Sequence, residues 1–197
     1  EVSNNTECSI FRLAMNHLYL VQDDEGKYVF RVYTHNWRTK LEIEEELRLL
    51  LHLKEADRQI AYPIADKSDE YLQEIEAPEG KRFGVLFSFA KGIKTAKFSA
   101  ETSFFIGQAL AKVHQSTDRF ELNRMTYDTQ NLLINPVLKT KEYYNKNVTE
   151  IEFLEKLSSF LAYKAKSIDK RKMRYGSVHL DVWFDNLHTD DENEITF

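Results

Sequence analysis

Short apolar runs rich in β-branched and aromatic residues alternate with polar turns through the first third of the chain, which predicts strands. The turn before the third run is the acidic, glycine-containing segment 23–27. In the third run, strand alternation places Arg31 on the same face as Val29 and Tyr33. If that face is covered, Arg31 needs an anionic partner, either a carboxylate or a phosphate. The three predicted strands cover residues 9–13, 18–21 and 28–33.

Helical periodicity follows, because Ile43, Leu47, Leu50 and Leu51 recur at the spacing of one helix face and predict a helix over residues 39–55. Two more strands are predicted after this helix, on either side of a turn at 77–80. The order of three strands, one helix and two strands predicts a five-stranded antiparallel sheet with one helix packed on it. The two later strands cover residues 71–75 and 82–89.

The pattern becomes helical after Gly92, so the chain as a whole is predicted to be α+β. Ser99 is a candidate N-cap for one helix, and Thr149–Glu152 has the spacing of a capping box at the start of another. The polar stretch 118–147, which contains a proline at 136, predicts a loop with short helical pieces. We therefore expect a mostly-β lobe over residues 1–90 and a mostly-α lobe over residues 91–197.

Composition narrows the class of protein. A chain of 197 residues with 42% hydrophobic residues can build a core, and the net charge of −5 gives no global basic field for nucleic acid or an anionic membrane. No apolar run reaches the roughly 20 residues that span a bilayer, and no signal peptide is visible. We expect a cytoplasmic protein that binds neither nucleic acid nor membrane.

The motif that carries chemistry lies near the end of the chain. The six glycines form neither a P-loop nor a dinucleotide-binding motif. Residues 179–186 instead read H-x-D-x-x-x-x-N, with His179, Asp181 and Asn186 at the spacing of a kinase catalytic loop. A kinase also needs a cation on the third strand, a glutamate on the next helix and a hinge after the fifth strand. Arg31, Glu46 and the segment 87–90 occur in that order.

These segments resemble the aminoglycoside phosphotransferase/choline kinase-like family, which has a protein-kinase-like two-lobe fold, and within it the branch of stress-response kinase A and the homoserine-kinase-type enzymes. The resemblance extends over most of the chain, and its specific part is the catalytic loop together with the third strand. The matching segments are NHLYLVQDDEGKYVFRVY (16–33), EIEEELRLLLHLKEA (42–56), FGVLFSFAKG (83–92), FFIGQALAKVH (104–114), LLINPVL (132–138) and GSVHLDVWFDN (176–186).

The resemblance implies a role for each matching residue in the catalytic loop and on the third strand. Asp181 would be the catalytic base or the carboxylate that orients the acceptor hydroxyl, and Asn186 would bind Mg²⁺. His179 would brace the loop. Glu46 would pair with Arg31, the cation on the third strand.

The resemblance also implies a nucleotide site. Ser88 and Ala90 would present hinge backbone groups to the adenine of ATP, and Val29 would cover the ring. Asn16 would lie in the turn over the phosphates.

Two departures from the family pattern change what is expected. The family usually has lysine at the position of Arg31, and arginine does not substitute for it freely. The family's second metal ligand is an aspartate that follows a strand corresponding to 194–197, where this sequence stops. We therefore expect an incomplete helical lobe, a truncated chain and poor catalysis, because a single protein ligand holds Mg²⁺ weakly.

The function expected from the resemblance is ATP-dependent phosphorylation of a hydroxyl group on an aminoglycoside, an amino alcohol or a sugar-like molecule, with ATP and Mg²⁺ as cofactors. Two alternatives stay open at this point. One is a Ser/Thr protein kinase of the stress-response type. The other is a pseudokinase that serves as a binding module.

Overall fold

The computed structural model describes residues 5–144 and 148–197. They form two compact units, one made of the described residues up to Asn123 together with Gly176–Phe197, the other of Arg124–Tyr175. The predicted lobe division between residues 90 and 91 stays a prediction. All the candidate site residues belong to the first unit. In the described ranges, no helix is long and apolar enough to cross a membrane.

A twisted antiparallel sheet is the main feature of the first unit. Its strands follow the order β1-β2-β3-β6-β4, and β5 pairs with the other part of β6. The predicted α+β class with an antiparallel sheet is confirmed, with one additional two-residue strand, β4, that makes six strands in place of five. The strands are β1 (Glu7–Leu13), β2 (His17–Gln22), β3 (Lys27–Val32), β4 (Pro63–Ile64), β5 (Gln73–Ala77) and β6 (Gly80–Ser88).

Helix α1 (Lys40–Glu55) begins as the sequence predicts, because Thr39 and Glu42 form a reciprocal capping box. Ile43 and Leu47, one turn apart on the same helix face, are buried. They pack against Tyr33 after β3 and against Val85 and Phe87 of β6, as one hydrophobic cluster. This cluster fixes α1 beside β3, which sets the position of Glu46 on the helix.

The rest of the first unit contains α2 (Ala100–Ser116) and a small two-stranded sheet of β7 (His188–Thr189) and β8 (Ile195–Thr196). The Ser99 hydroxyl accepts a hydrogen bond from the backbone N–H of Thr102, so the predicted N-cap is confirmed. Phe197 exchanges backbone hydrogen bonds with Gln59 and Ala61, which joins the end of the chain to the segment after α1.

The second unit consists of a π-helical turn (Gln130–Ile134) that continues into α3 (Asn135–Tyr143), followed by α4 (Thr149–Ala165). The predicted capping box at Thr149 is wrong, because Val148 is the N-cap of α4 and no side chain caps it. Pro136 stands in the first turn of α3, at its junction with the π-helical turn, so this part of the predicted loop is helical. Residues 145–147 of the same predicted loop lie outside the described residues.

Candidate active site

The H-x-D-x-x-x-x-N segment folds into a turn stabilised by its own polar residues. The Asn186 side-chain amide donates to the Asp181 carboxylate oxygen Oδ2 at 2.7 Å and to the Asp181 backbone carbonyl at 3.0 Å. A short 3-10 helix, Phe184–Asn186, brings Asn186 back toward Asp181. The Asp181 side chain is exposed. The turn therefore presents a carboxylate, oriented by an amide, to a ligand from outside the chain.

His179 braces this turn from the other side of Asp181. Its Nδ1 accepts a hydrogen bond from the backbone N–H of Asp181 at 3.3 Å, and its ring lies 5.8 Å from that of Phe197. Partial burial lowers the pKa of His179 and outweighs the opposite effect of the Asp181 charge. The imidazole is therefore neutral near pH 7 and can act as an acceptor. The structure thus gives His179 the contact expected of a loop brace.

Arg31 on β3 pairs with Glu46 on α1. Its Nη1 lies 2.9 Å from Glu46 Oε1, and its guanidinium stacks over the ring of Phe87 at 4.6 Å. The Tyr33 hydroxyl donates to the same Glu46 oxygen at 3.4 Å. Of the two partners that the sequence allowed for Arg31, the structure therefore contains the carboxylate.

The pKa values of Arg31 and Tyr33 follow from burial and from the polar contacts among Arg31, Tyr33 and Glu46. Burial opposes the Arg31 cation, but its contacts with Tyr33 and Glu46 outweigh that and raise the pKa of Arg31. Burial first, then the Glu46 charge, raise the pKa of Tyr33 to about 12. Arg31 therefore stays charged, and the Tyr33 hydroxyl stays protonated and able to donate to Glu46.

The hinge segment 87–90 is hydrogen-bonded to Tyr62, just before β4. The Ser88 backbone N–H donates a hydrogen bond to the Tyr62 carbonyl, and the Ser88 hydroxyl accepts one from the Tyr62 backbone N–H. Within the described residues, the backbone N–H of Ala90 donates to no other group, so it is available to a ligand. Val29 of β3 pairs with Phe87 of β6, the first residue of the hinge segment.

Gly92 allows the segment after the hinge to approach β7, which follows the catalytic loop, closely. Ile93 and Thr189 exchange backbone hydrogen bonds of 2.9 Å, and Phe89 lies 6.5 Å from the ring of His188. Gly92 has φ of +83°, and a Cβ there would lie 2.6 Å from the Thr189 backbone. Only glycine fits both the conformation and the space.

Sequence reasoning missed an ion-pair cluster at Asp185, next to Asn186. Lys94 Nζ lies 2.8 Å from Asp185 Oδ1, and Arg12 of β1 pairs with Oδ2 of the same carboxylate. The hydrogen bond from Lys94, then that from Arg12, lower the pKa of Asp185, so the carboxylate is charged. No sequence pattern signals this cluster, because the three residues are far apart in the chain.

The structure joins the predicted site residues in two pairs, Arg31 with Glu46 and Asp181 with Asn186. Asn16 lies in the turn between β1 and β2, where its side-chain oxygen accepts from the Thr34 backbone at 3.3 Å. The roles expected for all these residues toward a ligand stay predictions.

The donor set at the turn fits a hard divalent cation. The Asn186 amide nitrogen points to Asp181, so its oxygen Oδ1 is left for another partner, and carboxylate and amide oxygens are the ligands that Mg²⁺ prefers. Among the described residues, no group of three or more His, Cys, Asp or Glu residues could hold a metal ion.

Comparison with known proteins is consistent with this geometry. The sequence profile of the phosphotransferase enzyme family matches residues 12–196. An uncharacterised protein of Synechocystis sp. is 36% identical over 115 residues, which make up 58% of this chain and 32% of that protein.

Two solved structures have the same fold over the whole chain. An amicoumacin kinase in complex with AMP-PNP and Ca²⁺ matches with a TM-score of 0.79 at 19% identity, and this chain covers 58% of it. A microcompartment-associated aminopropanol kinase matches with a TM-score of 0.78 at 22% identity, and the chain covers 64% of it. The kinase-like fold is thereby confirmed. The chain spans less than two thirds of each of these relatives.

Proposed function

Because the chain belongs to the phosphotransferase enzyme family, we propose that it takes part in transfer of the γ-phosphoryl group of ATP to a hydroxyl group of a small molecule. The observation that carries this proposal is the Asp181–Asn186 pair, in which an exposed carboxylate is oriented by an amide at 2.7 Å. Phosphoryl transfer depends mostly on positioning and charge neutralisation, and such a turn is suited to both.

In this proposal, the chain's residues act on the acceptor and on the nucleotide separately. Asp181 accepts a hydrogen bond from the acceptor hydroxyl and takes its proton, while Asn186 holds the Asp181 carboxylate in place. Asn186 Oδ1 would be a ligand of Mg²⁺, which supplies charge neutralisation at the phosphates when it is bound. The Ala90 N–H would face the adenine, and so would the Ser88 carbonyl, because the Ser88 N–H is held by Tyr62. Val29 would cover the ring.

Arg31 would act at the phosphates while Glu46 keeps its guanidinium oriented. The guanidinium contacts one Glu46 oxygen through Nη1, and an arginine carries five N–H donors, so it can also bind a phosphate. Glu46 is in turn held by Tyr33.

An amine-bearing acceptor is favoured among the hydroxyl compounds. The two solved structures with the same fold are named as kinases of amicoumacin and aminopropanol. A protein Ser/Thr acceptor remains the alternative, and a cytoplasmic location stays a prediction.

The first experiment is calorimetric titration of ATP into the protein, with Mg²⁺ and with EDTA. We expect Mg²⁺-dependent binding that weakens in Asn186→Ala and is unchanged in the control Asn123→Ala, whose side chain makes no hydrogen bond within the described residues. A folded protein that binds no nucleotide under either condition would refute the proposal.

A pseudokinase is the second candidate, and the state of Arg31 favours it. This arginine replaces the family's usual lysine and is engaged by Glu46 and the Phe87 ring. The Asp181→Asn variant separates the two functions, because asparagine can still accept from Asn186 but is not a base. Turnover with amino alcohol acceptors that falls by about 10²–10⁴ in this variant supports the enzyme. Nucleotide binding without turnover in the wild type supports the pseudokinase.

A further inference from the structure

Asp185 is the point at which the catalytic turn is tied to the rest of the first unit. Across residues 177–186, as far as the described chain extends, Asp185 makes the only hydrogen bonds and ion pairs to other segments. The Asp181–Asn186 and His179–Asp181 hydrogen bonds are internal to the turn. Backbone bridges Asp118–Gly176 and Ile93–Thr189 hold the chain on either side of this stretch. Between them, the Asp185 carboxylate supplies the polar attachment of the turn to neighbouring elements.

The two cations that hold Asp185 come from two different elements of the first unit. Arg12 lies on β1, in the sheet that carries Arg31, and Lys94 follows the hinge segment. Each cation contacts a different oxygen of the carboxylate, so Asp185 is bridged between them. The cluster therefore fixes the turn relative to both the sheet and the hinge.

Charge explains why this carboxylate can lie beside Asn186, the residue proposed to bind Mg²⁺ next to the phosphates. Asp185 directly precedes Asn186, so an unpaired carboxylate there would repel the phosphates of a nucleotide. Two cations on one carboxylate leave a net charge of about +1, which favours an anionic ligand. The side chains of Arg12 and Lys94 are 47% and 37% exposed, and ion pairs this exposed add little to stability. A contribution to positioning explains the arrangement better than a contribution to folding.

We propose that Arg12, Asp185 and Lys94 form an ionic clamp in which Asp185 is a positioning residue that orders the Asp181–Asn186 turn for the Mg²⁺-nucleotide. The order of the turn is a property of this chain alone, whereas its effect on the nucleotide rests on the proposed function. The two parts are tested by separate measurements.

The first measurement is amide hydrogen exchange of the turn without nucleotide. In Asp185→Asn, which keeps the size and loses the charge, peptides covering residues 179–187 should exchange about ten-fold faster. Asp185→Glu should restore part of the protection. The matched control is Glu74→Gln, which removes a carboxylate that also bridges two cations, Lys40 and Lys81, on another strand of the sheet. It should leave the turn unchanged.

The second measurement is binding of AMP-PNP by calorimetry with Mg²⁺ and with EDTA. Because the clamp acts through Asn186, Asp185→Asn should weaken binding about ten-fold with Mg²⁺ and less than two-fold with EDTA. A purely structural role would weaken both equally. Arg12→Gln and Lys94→Gln each remove one arm and should have smaller effects in the same direction, which also covers the case in which Asp185→Asn does not fold.

Three outcomes would overturn the clamp: unchanged exchange of the turn, equal loss of binding with Mg²⁺ and with EDTA, or tighter Mg²⁺-nucleotide binding in Asp185→Asn. The last would mean that Asp185 competes with the phosphates for its cations. Faster exchange in a protein whose wild type binds no nucleotide would support the clamp as a device that orders the turn, and would refute the proposed function instead.

Discussion

At the scale of single residues, the Arg31–Glu46–Tyr33 cluster shows how a charged group is kept inside a mostly apolar interface. Arg31 gains an ion pair at 2.9 Å and stacking on Phe87. Glu46 gains two donors, one from Arg31 and one from Tyr33. Because the three side chains share their contacts, removal of one weakens the hydrogen bonding of a partly buried polar group.

We expect Arg31→Met to lower the free energy of unfolding by about 1–3 kcal/mol, since Glu46 then loses its cation while its side chain remains only 23% exposed. Arg31→Lys keeps the charge and should cost less. Urea denaturation of the three proteins measures the difference. Equal stability of Arg31→Met and the wild type would mean that the cost of desolvating the two charges cancels the gain from the ion pair.

The brace at His179 predicts a pH dependence of stability. Partial desolvation lowers the pKa of His179 in the folded chain below its ordinary value of about 6.5, and because the residue is still exposed the effect on stability is small. As the pH falls below that value, the unfolded chain binds more protons than the folded chain, so the free energy of unfolding decreases. Protonation of Nδ1 also removes the acceptor for the Asp181 N–H.

The wild type should therefore be less stable at pH 5.5 than at pH 7.5. His179→Asn, whose Oδ1 can replace Nδ1 as the acceptor, should lose less stability over the same interval. Urea titrations of both proteins at the two pH values make the comparison. The same loss in both proteins would assign the effect to other groups.

The sequence indicates the candidate site residues more readily than the side chains that contact them in space. Strand alternation and motif spacing single out Arg31, Asp181 and Asn186, and the resemblance adds Glu46. The structure contains the expected Arg31–Glu46 pair, and it adds an Asp181–Asn186 hydrogen bond that the sequence does not predict. The partners of Asp185 could not be predicted in this way. Arg12 is 173 residues away from it in the chain, and its pairing depends on how the sheet packs, which no local pattern encodes.

At the scale of elements, prediction succeeds where one face of a segment is buried. The spacing of Ile43 and Leu47 in α1 reflects their packing in one hydrophobic cluster with Val85 and Phe87 of β6, so its periodicity is strong. The two-residue strand β4 is too short to show a period. Helix α3 contains no buried residue, so its sequence carries no clear stripe, and the proline at its start gives the appearance of a loop.

The contact between Gly92, which follows the hinge segment, and β7 predicts that one added methyl group lowers the stability substantially. Gly92→Ala would place Cβ 2.6 Å from the Thr189 backbone, at a φ of +83° that alanine rarely adopts. The backbone of β7 cannot rotate away as a side chain can, so we expect a loss of about 1–3 kcal/mol.

Gly107→Ala is the matched control, since a Cβ there meets nothing within 4 Å inside α2. Alanine in a helix interior should raise the stability by up to about 1 kcal/mol. Thermal unfolding of both variants beside the wild type measures the two opposite shifts. A harmless Gly92→Ala would show that the segment and β7 separate easily.

At the scale of the whole molecule, the candidate site and the second unit are distinct parts of the chain. Each residue assigned to nucleotide, metal or catalysis lies in the first unit, and Arg124–Tyr175 supplies none of them. The second unit also exposes large apolar side chains along α4, among them Phe153 and Phe160, at 61% and 55%.

Because the candidate site residues all lie in the first unit, we expect a bound nucleotide to stabilise elements of that unit. A ligand that binds only the folded state at 100 times its dissociation constant adds about 2.7 kcal/mol to the free energy of unfolding. For a chain of this size, that corresponds to a rise of about 5–11 °C in Tm. With Mg²⁺-AMP-PNP, added hydrogen-exchange protection should appear in β3, α1 and residues 181–186, while α3 and α4 should change little. Strong protection of α4 without protection of the turn would contradict the assignment, because the ligand would then bind the unit that carries none of the residues proposed to hold it.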